Sequence, residues 1–198
     1  LAVTRLGLFG GAFDPPHIAH VALARAAVEQ LSLDELRICP TGGAYHRASA
    51  PTDAQHRLAM AREAFAEVPR AVVDDREIRR GGATYTVDTL RELHAEQPSA
   101  VLHLVMGEDQ AAGFTKWREW EAIARLATIC VASRQYSAAA QPPLALPAGV
   151  RSVQLRLPDH PESATEVRHR LTLGQDIGDL VPPGVARYIA HHHLYQPL

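Results

Sequence analysis

Two histidines three residues apart follow a pair of glycines near the start of the chain. They are His17 and His20, after Gly10-Gly11, within the stretch LGLFGGAFDPPHIAH that runs from Leu6 to His20. The stretch begins apolar, breaks at the glycines, passes Asp14-Pro15-Pro16 and enters a helical pattern at His17. That is the order of a buried strand, a tight turn and a helix. Glycine lets backbone N–H groups approach a ligand with no Cβ in the way, although Gly-Gly alone also fits an ordinary strand-to-helix turn. A helix N-terminus adds the positive end of its dipole. Residues three apart share one face of a first helical turn. Imidazoles there do not stabilise the helix, but they can donate to phosphate oxygens, each charge-assisted bond contributing about 1.5–3 kcal/mol. The chemistry indicated is the holding of a phosphate chain. A P-loop needs Gly-Lys-Ser/Thr and a dehydrogenase fingerprint needs G-x-G-x-x-G; GLFGGAF supplies neither. A zinc pair is disfavoured, because no convincing cysteine or carboxylate set accompanies the histidines.

Whatever positions these residues is of ordinary size and composition. The chain has 198 residues, 46% hydrophobic and 21% charged, with a formal net charge of −2. That suits one domain, spanning 1–198. Bulk charge does not point to nucleic acid, so any anion site is local. Basic residues are almost all arginine, Lys116 being the only lysine, so phosphate chemistry here rests on Arg and His. Cys39 and Cys130 sit in apolar strand-like runs and read as buried free thiols, as in a reducing compartment. With no signal peptide, lipidation signal or long apolar segment read in the sequence, the expected location is the cytoplasm, without a membrane partner.

Strand and helix signals alternate. Strands are expected at Arg5–Phe9, Glu35–Cys39, Ala71–Asp74, Val101–Met106, Thr128–Ala132 and Val150–Leu157. Helices are expected at Ile18–Gln30, Thr52–Glu67, Thr86–Glu96, Trp117–Leu126, Ser163–Leu173 and Val185–His192. Ser163-x-x-Glu166 has the form of a capping box. The rhythm predicts an α/β fold, a parallel sheet with helices on both faces. In such sheets ligands sit beyond the carboxyl ends of the strands.

GGAFDPPHIAH resembles the GG-x-FDP-x-H-x-(G/A)-H signature of the nucleotidyltransferase superfamily. Other segments are similar to those of the bacterial nicotinate mononucleotide adenylyltransferase family. They are Gly82–Leu90 (GATYTVDTL), Met106-Gly107-Glu108-Asp109 followed by Trp117 and Trp120, Ser133-Arg134, Ser163–Arg168 (SATEVR), and Val185 through Tyr188-Ile189 to Leu194-Tyr195. Where that family carries two prolines before a His-Lys/Arg pair, this chain has Gly42-Gly43-Ala44-Tyr45 before His46-Arg47.

The resemblance implies a Rossmann-like sheet of nucleotidyltransferase type, with 163–198 a helical part completing the ATP site. It implies transfer of the adenylyl group of ATP to nicotinate mononucleotide, in NAD biosynthesis. Both reactants are anions, so catalysis is mostly positioning and charge neutralisation. His17, His20 and Arg168 would be catalytic. ATP would meet Gly10, Gly11, Phe13, His17, His20, Gly107, Asp109, Arg134, Thr165 and Arg168. The mononucleotide would meet His46, Arg47, Thr84, Tyr85, Asp109 and Trp117, the last stacking on the pyridine ring. Mg²⁺ is expected with ATP, held mainly by substrate phosphates and water, with Asp14 and Asp109 orienting it indirectly. Trp120 is expected in the core. The alternatives are the same chemistry on nicotinamide mononucleotide or phosphopantetheine, and a non-catalytic nucleotide-binding module. The sequence is compatible with a monomer or a homo-oligomer.

Overall fold

A computed structural model of the chain describes residues 4–43, 52–132, 146–158 and 160–196. Six parallel strands form its sheet: β1 (Arg5–Gly11), β2 (Glu35–Pro40), β3 (Ala71–Val73), β4 (Val101–Gly107), β5 (Ala127–Ala132) and β6 (Ser152–Leu155). They lie in the order β3-β2-β1-β4-β5-β6. The chain winds outward from β1 through β2 to β3, then returns to the other side of β1 to lay down β4. The order therefore reverses between β1 and β4, and the crevice beyond their carboxyl ends is where such sheets take ligands.

Alternation along the strands builds a core on each face. In β1, Leu6 and Leu8 join one cluster and Phe9 joins the other. Gly7 shares the Phe9 side, where a Cβ would stand 2.6 Å from the Leu33 side chain. The Phe9 face is covered by α1 (Ile18–Gln30), α2 (Ala54–Phe65), α7 (Ala164–Thr172) and α8 (Pro183–His191). The Leu8 face is covered by α4 (Thr86–Glu96) and α6 (Trp120–Leu126), with Phe114 fully buried between them and the sheet. Short helices α3 (Arg76–Arg80) and α5 (Glu108–Ala112) and a 3-10 turn at Phe114–Lys116 complete the described elements.

Several boundaries differ from expectation, among them the helix expected at Thr52–Glu67, which narrows to Ala54–Phe65. The strands at 5–9 and 101–106 run on to Gly11 and Gly107, because Gly10 and Gly11 still pair with Cys39 and Pro40, and Gly107 with Ala132. The helix expected at Trp117–Leu126 starts only at Trp120: Trp117 is extended and Glu119 is left-handed, with φ 52°. The last strand narrows to Ser152–Leu155. Helices α3 and α5 were not expected from periodicity. Ser163 does cap α7, its hydroxyl accepting from the Glu166 N–H at 3.2 Å.

Candidate active site

The turn from β1 into α1 is held by ring packing. Phe13 adopts φ 48°, a left-handed backbone that a bulky residue keeps only where its surroundings fix it. Its ring is 2% exposed and meets Phe9, Phe65 and His20 edge-on, at centroid distances of 5.5, 5.4 and 5.1 Å. Gly11 is small for the same reason: a Cβ there would lie 3.0 Å from the Phe13 ring.

His17 is the N-cap of α1 and is buried; its ring lies 3.7 Å from that of His20, inclined by 34°. The His17 backbone N–H donates to His20 Nδ1 at 3.2 Å. Because Nδ1 accepts, the proton of the neutral ring sits on Nε2. Burial, reinforced by the adjacent His17, lowers the His20 pKa well below that of free imidazole. His20 is therefore a neutral Nε2–H donor at physiological pH.

Residues distant in sequence lock this turn. Arg168, half-buried on α7, donates from Nη1 to the Asp14 carbonyl at 2.6 Å, and from Nη2 to the Thr165 hydroxyl at 3.5 Å. The buried Asp14 carboxylate accepts from the Tyr195 hydroxyl at 2.6 Å and from the Thr52 N–H at 3.2 Å. Burial, then Asp14, raises the Tyr195 pKa far above its usual value, so the phenol stays a donor. The Ile18 N–H donates to Leu180 O at 2.9 Å.

Two cavities open at the carboxyl ends of the strands. The first, about 340 Å³, is lined by Gly10, Gly11, Phe13, His17 and His20, by Gly107 and Asp109 after β4, and by Ser163 and Ala164 at the start of α7. Thr165 and Arg168 lie further along that helix and are not among the residues lining the cavity. The second, about 590 Å³, is lined by Thr84, Tyr85 and Thr86 at the start of α4, by Trp117 and Arg118, and by Glu77. The Arg118 guanidinium lies 4.5 Å from the centre of the Tyr85 ring. The Gly42 N–H donates to the Thr84 hydroxyl at 3.3 Å. Gly10, Gly11, Ala12 and Gln110 line both cavities, so the end of β1 is their shared wall.

Most of the expected residues fall into these two groups. Asp109 lines the first cavity only, at the start of α5. Trp117 lines the second, freed from α6 by the extended backbone noted above. Trp120 packs on Phe114 at 5.9 Å. His46, Arg47 and Arg134 lie outside the described residues.

Sequence reasoning missed two buried charges. Arg57, 1% exposed, donates to the carbonyls of Thr52, Ala12 and Thr41 at 2.8 Å each, and to that of Gly42 at 3.2 Å. It ties the segments after β1 and β2 to the start of α2. No sequence signal marks it, because its partners are carbonyls, which every residue has. Glu77 sits in the short α3, which carries too few residues for a periodic pattern.

Among the described residues no helix is long and apolar enough to cross a membrane, and no group of three or more His, Cys, Asp or Glu could hold a metal ion.

Residues 8–170 match the cytidylyltransferase-like family. A probable nicotinate-nucleotide adenylyltransferase of Albidiferax ferrireducens is 51% identical over 194 residues, 97% of this chain and 98% of that protein. One of Bordetella avium is 45% identical over 197 residues, 98% of each. The structure of Plasmodium falciparum nicotinic acid mononucleotide adenylyltransferase complexed with NaAD superposes with a TM-score of 0.79 over 97% of both chains, at 19% identity, which bears on the fold. With the family match spanning the β1–α1 turn and α7, and relatives of this identity aligned almost end to end, the chain belongs to the cytidylyltransferase-like nucleotidyltransferases and, within them, to the nicotinate-nucleotide adenylyltransferase family.

Proposed function

We propose that ATP occupies the cavity at His17 and His20, that nicotinate mononucleotide occupies the one at Trp117, and that they react over the end of β1. The observation that carries this is the shared wall at Gly10–Ala12, which brings a phosphate of each reactant to one place. An acceptor phosphate oxygen attacks the α-phosphorus of ATP. The bond from that phosphorus to the bridging oxygen of the β-phosphate breaks, and pyrophosphate leaves. The products are nicotinate adenine dinucleotide and pyrophosphate, a step of NAD biosynthesis.

No side-chain nucleophile is needed; positioning and charge neutralisation carry the rate. His20 donates from Nε2 to the triphosphate, with His17 beside it at the N-terminus of α1. The Gly10 and Gly11 backbone can approach the same oxygens. Gly107 and Phe13 bound the ATP cavity, and Asp109 accepts from a ribose hydroxyl. Thr165 and Arg168, at the N-terminus of α7, receive the β- and γ-phosphates. Arg168 arrives pre-aimed by its bond to the Asp14 carbonyl. His46, Arg47 and Arg134 supply further phosphate contacts. In the acceptor cavity Trp117 stacks on the pyridine ring, a contact of about 1–3 kcal/mol by analogy with base stacking. N–H groups at Thr84 and Tyr85 take the nicotinate carboxylate at the N-terminus of α4.

Mg²⁺ bound to ATP would supply neutralisation of phosphate charge. The donor set suits a metal carried by the substrate: the Asp14 carboxylate is engaged by Tyr195 and Thr52, and Asp14 and Asp109, which both line the cavity, would orient the ion only through water. The 1–198 chain acts as one domain in this reading, with 163–198 closing the ATP side.

The test is turnover of ATP with nicotinate mononucleotide, its amide and phosphopantetheine in parallel. The acid mononucleotide reacts fastest. Preference for phosphopantetheine, or pyrophosphate release from none, overturns the reading.

A further inference from the structure

The one acidic side chain among the described residues lining the acceptor cavity takes no part in this scheme. Glu77 lines the cavity yet is only 3% exposed. Its Oε1 accepts from the Thr89 hydroxyl at 2.7 Å, and that hydroxyl accepts from Arg80 Nη2 at 3.1 Å. The Thr89 N–H donates to the Tyr85 carbonyl at 3.4 Å. The Glu77 carboxyl thus lies one helical turn behind Tyr85, at the end of α4 that faces the cavity. The Glu77 backbone packs closely on the segment after β2: a Cβ on Gly42 would stand 2.4 Å from the Glu77 backbone carbonyl oxygen. The carboxyl cannot swing away from an incoming ligand without giving up the Thr89 hydroxyl.

The charges around it are largely committed to one another. On α3, Arg80 pairs with Glu92 of α4 at 2.9 Å, and Arg76 pairs with Asp74 and with Glu96 of α4. On β2, Arg37 pairs with Glu35 and Asp74, and the Cys39 thiol is buried. Arg57 of α2 spends its donors on carbonyls, Gly42 among them. Lys116 and Arg118 also line the cavity. Burial dominates: it pushes the Glu77 pKa up to about 7, with Asp74 and Glu92 adding to the rise and the Thr89 bond and Arg80 opposing it.

We propose that Glu77 sets the charge preference of the acceptor cavity: an acceptor with an anionic ring substituent binds with a proton on the Glu77 carboxyl, whereas a neutral ring substituent makes no such demand. A negative charge brought next to a carboxyl buried to 3% exposure repels its ionised form, and burial strengthens that repulsion. The anion therefore raises the Glu77 pKa further and draws a proton from solvent as it binds. Below pH 7 the proton is already present and costs nothing. As pH rises through 7 the anionic acceptor must restore it, and its advantage over the neutral one shrinks.

This inference rests on the acceptor assignment above. Its test is the ratio of kcat/KM for nicotinate mononucleotide to that for nicotinamide mononucleotide, followed from about pH 6 to about pH 8.5. Both acceptors carry the same phosphate, so titration of that phosphate, of ATP and of the histidines cancels in the ratio. The wild-type ratio is expected to fall about tenfold across the range, one unit of further pKa rise being tenfold. Glu77→Gln keeps an oxygen for Thr89 and removes the proton equilibrium, so its ratio stays flat. A flat wild-type ratio, or an equally steep one in the variant, overturns the inference while leaving the acceptor assignment intact. Failure of both mononucleotides to react overturns that assignment as well. If Glu77→Gln does not fold, calorimetry of the wild type at pH 7 in buffers of different ionisation enthalpy decides: the acid is expected to take up more protons on binding than the amide, and equal uptake overturns the inference.

Discussion

His20 shows how one hydrogen bond fixes a donor. A charged imidazole would bind phosphate more strongly, but burial and the stacked His17 ring keep it neutral, and the His17 N–H claims Nδ1. What remains is Nε2–H, on a ring oriented by that hydrogen bond and by the His17 ring. Nitrogen NMR of the free protein at pH 7 is expected to show His20 as the neutral Nε2–H tautomer, and a doubly protonated ring would contradict this. Trp117 lines the other cavity, where the proposed reading gives it the corresponding weight. Trp117→Ala is expected to raise the KM for the mononucleotide at least tenfold and that for ATP less than twofold. An unchanged acceptor KM removes Trp117 from the site. At this scale the sequence was legible where neighbours in sequence are neighbours in space, as with His17 and His20. It was opaque at Arg57 and Glu77, whose partners come from segments that only the folded chain brings together.

At the scale of elements, the ends of strands and helices matter more than their middles. The glycines at 10 and 11 read as a turn, yet they pair with β2 and form the wall between two cavities. Trp117 read as helical, but the 3-10 turn before it releases it into the cavity. The helix–loop boundary here depends on Phe114, which Trp117 and Trp120 flank at 5.9 Å each, and no periodicity reports that packing. The last turn of the chain acts on the first through Tyr195 and Asp14. Removing that hydroxyl loses a hydrogen bond to a carboxylate, about 1.5–3 kcal/mol, and loosens the turn that carries His17 and aims Arg168. Tyr195→Phe is expected to raise the KM for ATP about fivefold or more while leaving the acceptor KM within twofold. Equal effects on both, or none, would show that Tyr195 only supports the fold.

For the whole molecule, the alternation of strands and helices foretold a parallel sheet because only crossover connections join parallel neighbours. Its order, and so the reversal between β1 and β4, follows from which helices cover which face, as the Leu8 and Phe9 sides of β1 show. The formal net charge of −2 gives anionic substrates no general attraction, so in the proposed reading the site supplies its own, on the ATP side from the N-termini of α1 and α7 with His17, His20 and Arg168. The account stands on that convergence. It is tested most directly by comparing wild type and His17→Ala for pyrophosphate and dinucleotide formation from ATP and nicotinate mononucleotide, with thermal unfolding measured on both. The account predicts that the variant loses turnover by about a thousandfold or more while its melting temperature stays within a few degrees; a variant that still makes the dinucleotide at near wild-type rate would contradict it.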